Sequence, residues 1–241
     1  MVGMPRAAVP AYTRPMGRRF HKLASGRAGQ LVLLAGALLA GVGTGLLTEV
    51  PAAQPNRVAL TVVDAEGNPI EQAIVWALPM SGQVLPEPEN AVAQIEQRGK
   101  AFIPPVTPVR VGTAVSFPNL DTVRHHVYSF SAAKIFSLKL YIGTPVEPVV
   151  FDKPGEVVLG CNIHDAMLAY VLALETPYFG KTGVNGQVDL VDLVPGDYQL
   201  RAWHPRQKAA PVAGRITVQE GDRLAQRITA DISPRQTAAG S

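Results

Sequence analysis

The fold of this chain is indicated most clearly by Cys161-Asn162-Ile163-His164-Asp165-Ala166-Met167, a loop with the spacing C-x2-H-x2-M, and by the His125-His126 pair upstream of it. A thiolate, two imidazoles and a thioether are the donors that hold a single copper ion in electron-transfer sites. Cys161 is the only cysteine among 241 residues, so no internal disulfide can form. The other four methionines lie at positions 1, 4, 16 and 80, which leaves Met167 as the thioether nearest to the other donors.

The chemistry of this donor set distinguishes between metals. Structural zinc takes four strong nitrogen or sulfur ligands, and catalytic zinc keeps an open position. A cysteine and two histidines with a weak axial methionine are instead typical of copper that transfers electrons. The sequence therefore favours one copper ion per chain over zinc. A metal-free alternative stays open at this stage, because a buried cysteine and a hydrogen-bonded core histidine are each common.

The sequence around the loop resembles the cupredoxin family. Residues 102–125 follow the pattern F-x-P, then V-x-x-G-x-x-V-x-F-x-N-x-D, then H, and residues 151–161 are similar to the strand that delivers the cysteine in plastocyanin-like proteins. The loop is most similar to that of amicyanin. Residues 92–179 as a whole resemble the periplasmic cupredoxin-like proteins often labelled methylamine utilization proteins. The resemblance implies a Greek-key β-sandwich with a type 1 (blue) copper site.

The resemblance also implies which residues are the ligands. When the H-N-V of the family is aligned with residues 125–127, His125 becomes the first ligand, and Cys161, His164 and Met167 complete the site. The chain has His126 where blue copper proteins usually have asparagine. A shift of one residue along the strand would present His126 instead, because successive side chains alternate between the two faces of a sheet.

The metal loop departs from the family at a second position, since Ile163 stands where proline is frequent. In the cupredoxins, the imidazole on the loop, here His164, reaches the surface inside an apolar patch and serves as the exit for the electron. Ala166 and Leu168 could contribute to such a patch. Asp165, next to the ligand, could modulate the reduction potential through a hydrogen bond.

The segments on either side resemble the two ends of one further domain. Residues 57–88 and 180–233 show strand and turn patterns around Asn68-Pro69 and Pro195-Gly196, and they resemble a carboxypeptidase-regulatory-like, transthyretin-type sandwich. Neither segment has enough strands to be stable alone. We therefore expect an all-β chain in which a cupredoxin domain, residues 92–179, is inserted in or flanked by a sandwich made of residues 57–88 and 180–233.

The N-terminal residues 1–53 are predicted to be an export signal or a membrane anchor. They hold six Lys or Arg residues against Glu49, and an apolar run extends from Leu31 to Leu47. Small residues around Ala52 suit a signal peptidase, so we expect cleavage and a periplasmic location, with a retained anchor as the alternative. The remainder has sixteen Lys or Arg against eighteen Asp or Glu and no basic stripe, so nucleic acid is not expected as a partner.

The predicted function is transfer of single electrons between redox partner proteins, such as c-type cytochromes or a periplasmic dehydrogenase. Binuclear copper needs a second cysteine, and multicopper oxidases need His-x-His clusters, which this sequence lacks. Four protein ligands leave no place for a substrate, so neither catalysis nor a small-molecule substrate is expected. Delivery of copper without redox cycling is the alternative. His204 is expected to be a solvated strand end.

Overall fold

The computed structural model describes residues 54–87, 91–145, 147–208 and 212–232. The predicted leader, residues 1–53, lies outside these ranges. The described residues form strands, turns and bends without helices, which confirms the all-β prediction. Within those ranges, no helix is long and apolar enough to cross a membrane.

The described residues form seventeen strands: β1 Arg57–Val63, β2 Ile74–Pro79, β3 Val92–Gln94, β4 Glu96–Gln97, β5 Phe102–Ile103, β6 Val106–Arg110, β7 Ala114–Ser116, β8 His125–Ser131, β9 Lys134–Tyr141, β10 Val149–Val150, β11 Gly155–Gly160, β12 Leu168–Leu174, β13 Phe179–Lys181, β14 Gln187–Val191, β15 Gly196–Trp203, β16 Val212–Val218 and β17 Arg223–Thr229.

Strands from the two ends of the described chain share one pair of sheets. The first sheet has the order β14-β1-β17, in which β1 runs antiparallel to β14 and parallel to β17. The second has the order β13-β2-β15-β16 and is antiparallel throughout. This is the pairing that a domain made of residues 57–88 and 180–233 requires, while the division into separate domains stays a prediction.

The core between these two sheets follows from alternation along the strands. Val58, Leu60 and Val62 of β1 are buried at every second position, as expected of a strand with one face against a core. They belong to one cluster with residues of the opposite sheet, including Tyr198 and Leu200 of β15.

The strands from β3 to β12 form a second layered unit. Its main sheet has the order β6-β12-β11-β8-β9, and a small sheet has the order β10-β7-β3. β4 and β5 form a short hairpin. A separate cluster fills this unit, with members that include Phe117, Val127, Phe151, Leu159 and Val171.

The two layered units share a third apolar cluster. The second half of β12 is buried on both faces, because Ala169, Val171 and Ala173 lie in the core of its own unit while Leu172 and Leu174 pack against the other unit. The buried members of this third cluster are Ile74, Trp76, Val106, Leu172, Leu174 and Trp203. The face of the main sheet that points away from its own core is therefore covered at β6 and β12 by residues of β2 and β15.

Candidate metal centre

Strand β11 carries the cysteine to the core face of the main sheet. Val157 and Leu159 are fully buried, and Cys161 follows at the next position of the same face with 4% of its surface exposed. Cys161 is a free cysteine and belongs to the same cluster as these two residues. The thiol is thus held by the pleat of a strand that is anchored on both sides by β8 and β12.

Strand β8 separates the two neighbouring histidines. His125 shares the core face with Val127 and Ser129, and all three are fully buried. His126 is on the opposite face, where its Nε2 lies 2.8 Å from Oγ of Ser137 and its ring stacks on Tyr128. Only His125 therefore faces Cys161.

The loop after β11 brings the second imidazole to the same point. His164 is half-buried, and its carbonyl oxygen accepts a hydrogen bond of 2.9 Å from the backbone N–H of Met167. This bond closes a tight turn between β11 and β12. The turn places the His164 ring at 63° to the His125 ring, with 4.9 Å between the ring centroids.

Three donor atoms converge at this point. Sγ of Cys161 lies 3.9 Å from Nδ1 of His125 and 3.9 Å from Nδ1 of His164, and the two Nδ1 atoms are 3.2 Å apart. Among the residues that the structure describes, His125, Cys161 and His164 are the group of His, Cys and acidic residues arranged closely enough to hold a metal ion.

The size of this donor triangle suits a metal ion. A triangle with these sides has a circumscribed radius of about 2.1 Å, and metal–nitrogen and metal–sulfur bonds are about 2.0 to 2.3 Å long. A metal ion at this point would be held by the two imidazole nitrogens and the thiolate, the donor set that copper takes in electron-transfer sites.

The fourth predicted residue, Met167, lies in the same core cluster as Cys161 and has 2% of its surface exposed. Its burial agrees equally with packing and with a role as a weak axial donor. The assignment of Met167 as a ligand stays a prediction.

A carboxylate that the sequence reasoning did not single out binds the first histidine. Oδ2 of Asp121 lies 2.8 Å from Nε2 of His125, on the side of the ring away from Cys161. The pKa of Asp121 is held below its ordinary value by a hydrogen bond from the Lys100 N–H, with further bonds from His125 and the Gly99 N–H. The sequence offered one sign of this contact: Asp121 is the aspartate of the N-x-D segment that resembles the cupredoxins, and it lies four residues before His125.

A polar pair made of the half-buried Tyr141 and the fully buried Gln97 lies near the site. The Tyr141 hydroxyl donates to the Phe117 carbonyl oxygen at 2.6 Å and accepts a hydrogen bond from Nε2 of Gln97. Burial, with a contribution from the nearby charge of Cys161, raises the pKa of Tyr141 to about 12. Gln97 is fully buried, and its Oε1 has no hydrogen-bond partner among the described residues.

Two other sequence-based expectations have different outcomes. Asp165 is exposed, and its carboxylate makes no hydrogen bond with any residue that the structure describes.

His204 is 8% exposed, and its Nδ1 accepts a hydrogen bond from the Arg206 N–H at 3.1 Å. The expectation that His204 is solvated is wrong, because the turn after β15 folds back over the ring.

The surface beside the loop is partly apolar. Ile163 and Leu168 are 47% and 49% exposed, and Ala166 is exposed as well. Leu120 and Val123, in the segment that precedes His125, are also exposed. The half-buried His164 is therefore flanked along the chain by apolar side chains at the surface.

Comparisons with known proteins give structural matches without sequence matches. No protein-family model matches the chain, and no curated protein matches it by sequence. A novel purple cupredoxin from Nitrosopumilus maritimus is 22% identical with a TM-score of 0.31, and the alignment covers 34% of this chain and 99% of that chain. An amicyanin variant in the oxidized state is 18% identical with a TM-score of 0.32, covering 36% of this chain and 87% of that chain. The Cu-containing nitrite reductase NirK from Thermus scotoductus SA-01 is 23% identical with a TM-score of 0.33, covering 48% of this chain and 28% of that chain.

Proposed function

We propose that this chain is a periplasmic type 1 (blue) copper protein that carries single electrons between redox partner proteins. The observation that carries the proposal is the convergence of Sγ of Cys161 with Nδ1 of His125 and of His164, at mutual distances of 3.2 to 3.9 Å. A single copper ion per chain follows, because the sequence has one thiolate to anchor it. In this proposal Met167 would be a fourth, weaker ligand, and residues 92–179 are the cupredoxin domain.

His125, Cys161 and His164 would hold the copper ion, which would supply the exchange of one electron between Cu(II) and Cu(I). The protein residues supply the rigidity that such an exchange needs. Cys161 and His125 are fixed by neighbouring strands of one sheet, and His164 is fixed by the turn that the Met167 N–H closes.

The proposed path for the electron is through the ring of His164. His125 and Cys161 are buried, whereas the His164 ring is half-buried and is the ligand side chain nearest to solvent. The exposed side chains of Ile163 and Leu168 support docking of an apolar partner surface beside it. Redox proteins such as c-type cytochromes or a periplasmic dehydrogenase are the proposed class of partner.

Residues 1–53 are proposed to direct export, with cleavage near Ala52 and a membrane anchor as the second possibility. The flanking unit, residues 57–88 and 180–233, is proposed to be a carboxypeptidase-regulatory-like sandwich. This unit packs against the proposed copper domain through the shared apolar cluster at β12. No catalytic role is proposed for either unit.

The decisive experiment is a visible spectrum of the purified chain after addition of one equivalent of Cu(II). Charge transfer from the thiolate to Cu(II) predicts an intense band near roughly 600 nm that disappears on reduction and returns on oxidation. Tight binding of Cu(I) without this band would instead support copper delivery. Failure to bind copper in either state, or two or more tightly bound ions per chain, would refute the proposal.

A further inference from the structure

The carboxylate of Asp121 decides which nitrogen of His125 is free. The His125 side chain is fully buried, and its Nε2 lies 2.8 Å from Oδ2 of Asp121, whose side chain is 15% exposed. An ionised carboxylate can only accept hydrogen bonds, so Nε2 must carry the proton. The lone pair is then on Nδ1, the atom 3.9 Å from Sγ of Cys161.

The position of Asp121 is itself fixed by a turn in the backbone. Oδ1 accepts a hydrogen bond of 2.6 Å from the Gly99 N–H, and Oδ2 accepts one of 2.9 Å from the Lys100 N–H. Both residues have positive φ, 61° and 57°, which is the conformation of the two central residues in a type I′ hairpin turn. The turn between β4 and β5 therefore directs two N–H groups at one carboxylate.

The backbone of Asp121 is also held by a hydrogen bond, here to the side chain of Asn119. Its N–H donates to Oδ1 of Asn119 at 3.0 Å, and Nδ2 of Asn119 donates to the carbonyl oxygens of Val123 and Tyr141. Asn119 thus ties together the segment before His125 and the end of β9. The carboxylate is held in place by the fold and does not depend on a bound ion.

We propose that Asp121 is a positioning residue that holds His125 in the Nε2–H tautomer, strengthens its Nδ1 as a donor and thereby lowers the reduction potential of the site. A carboxylate that accepts from a ligating imidazole makes that imidazole more electron-rich. A stronger donor favours Cu(II) over Cu(I), since Cu(II) has the higher charge. The effect on the potential rests on the proposed function, whereas the control of the tautomer does not.

Asparagine cannot replace the aspartate in this arrangement. The wild-type carboxylate accepts three hydrogen bonds, from the Gly99 N–H, the Lys100 N–H and Nε2 of His125. An amide offers one oxygen and one NH2 group, so at least one of these donors would face another donor. Asp121→Asn also removes the negative charge while nearly conserving volume.

Asp165 provides the matched control. It is an aspartate next to the ligand His164, but it is exposed and makes no hydrogen bond to the described residues. Asp165→Asn therefore changes the net charge by the same amount without disturbing a ligand. A larger shift in Asp121→Asn than in Asp165→Asn is the part of the effect that the loss of one exposed charge does not explain.

The first measurement is the Cu(II)/Cu(I) midpoint potential of the full chain and of the two variants. We expect Asp121→Asn to weaken Cu(II) binding relative to Cu(I) about tenfold, which raises the potential by about 59 mV for one electron. Asp165→Asn should give a clearly smaller rise. A blue Asp121→Asn protein with unchanged potential, or equal shifts in both variants, would overturn the effect on the potential.

The second measurement needs no copper. Nitrogen-15 NMR of the histidine rings in the metal-free full chain, at mildly alkaline pH, reports which nitrogen carries the proton. We expect wild-type His125 to be the Nε2–H tautomer and the Asp165→Asn protein to be the same. An Nδ1–H tautomer in the wild type would refute the proposal even if Asp121→Asn failed to fold. An Nε2–H tautomer in a chain that never turns blue would refute the proposed function and leave the tautomer assignment standing.

Discussion

The phenol ring of Tyr128 lies over Gly160, its antiparallel partner across β8 and β11. A Cβ atom built on Gly160 would lie 2.8 Å from Cζ and 2.9 Å from the hydroxyl oxygen of Tyr128. Gly160 directly precedes Cys161, so this contact lies beside the candidate site. The φ angle of Gly160 is one that other residues can adopt, so backbone conformation does not require a glycine here. The close approach of the Tyr128 ring is what favours a residue without a side chain.

We expect Gly160→Ala to lower the free energy of unfolding by up to about 1 kcal/mol, because the half-buried Tyr128 ring must rotate away from the added methyl group. Gly214→Ala, in β16, is the control, since its Cβ would meet only Leu200 Cβ at 3.9 Å and should change little. Urea unfolding followed by circular dichroism measures both. Adding Tyr128→Ser to Gly160→Ala should recover part of the loss, and strict additivity of the two changes would contradict the contact.

The two histidines of β8 should behave differently. His125→Ala should abolish the blue colour, because it removes one of the three converging donors. His126→Ala should keep the colour and lose about 1 kcal/mol of stability, because it removes a hydrogen bond to Ser137 on the other face of the sheet. Copper titrations followed by visible spectroscopy decide between them. The reverse result would mean that the strand register differs by one residue.

The axial position can be tested with the thiolate as the reference. Met167→Leu should keep coloured copper and raise the reduction potential, because a thioether that favours Cu(II) is replaced by an apolar group. Cys161→Ser should lose the colour entirely, since a hydroxyl supplies no soft anionic donor at neutral pH. Both should keep a β-sheet circular dichroism spectrum. An unaltered potential with intact colour in Met167→Leu would show that this side chain is core packing alone.

Alkaline stability should report on Tyr141. Its pKa is about 12 in the folded chain, against an ordinary value of 10.0. Between these two pH values the unfolded chain releases the proton while the folded chain keeps it, so the free energy of unfolding should fall as the pH rises. Tyr141→Phe should show a shallower fall, and at neutral pH it should be less stable by about 1 kcal/mol because the bond to Phe117 is lost. Denaturant titrations across this range measure the slope, and an equal slope in the variant would contradict the assignment.

The apolar cluster shared by the two layered units can be tested at Trp203. Trp203 is 8% exposed, its ring packs edge-on against Tyr170 with 5.8 Å between the ring centroids, and Nε1 donates to Glu156 at 3.2 Å. Trp203→Ala should cost about 3 to 5 kcal/mol of stability. The copper spectrum should be unchanged, because Trp203 contacts the far end of β11. Trp203→Phe, which keeps a ring but removes the N–H, should lose much less, and an alanine variant with the stability of the wild type would exclude a shared core.

The candidate site was predictable where its residues are close in sequence or lie in a regular strand. The C-x2-H-x2-M spacing identified Cys161 and His164, and alternation along β8 left two choices for the first histidine, of which His125 faces the cysteine. Asp121 was not predicted as a partner of His125. Its contact depends on the turn at Gly99 and Lys100, which is about twenty residues away in sequence.

The sequence by itself determined the residue types, the all-β pattern and the order of the strands, because these depend on local alternation and on turn residues. Tertiary structure alone decided the register in which the strands of residues 57–88 and 180–233 pair, that the second half of β12 is buried on both faces, and that Tyr128 covers Gly160. These relationships join residues that are far apart in sequence. A local sequence pattern shows that one face of a strand is apolar, but it does not show which distant strand packs against that face. The same limit applies to Asp121, whose hydrogen bonds come from a turn and from a strand that only the fold brings together.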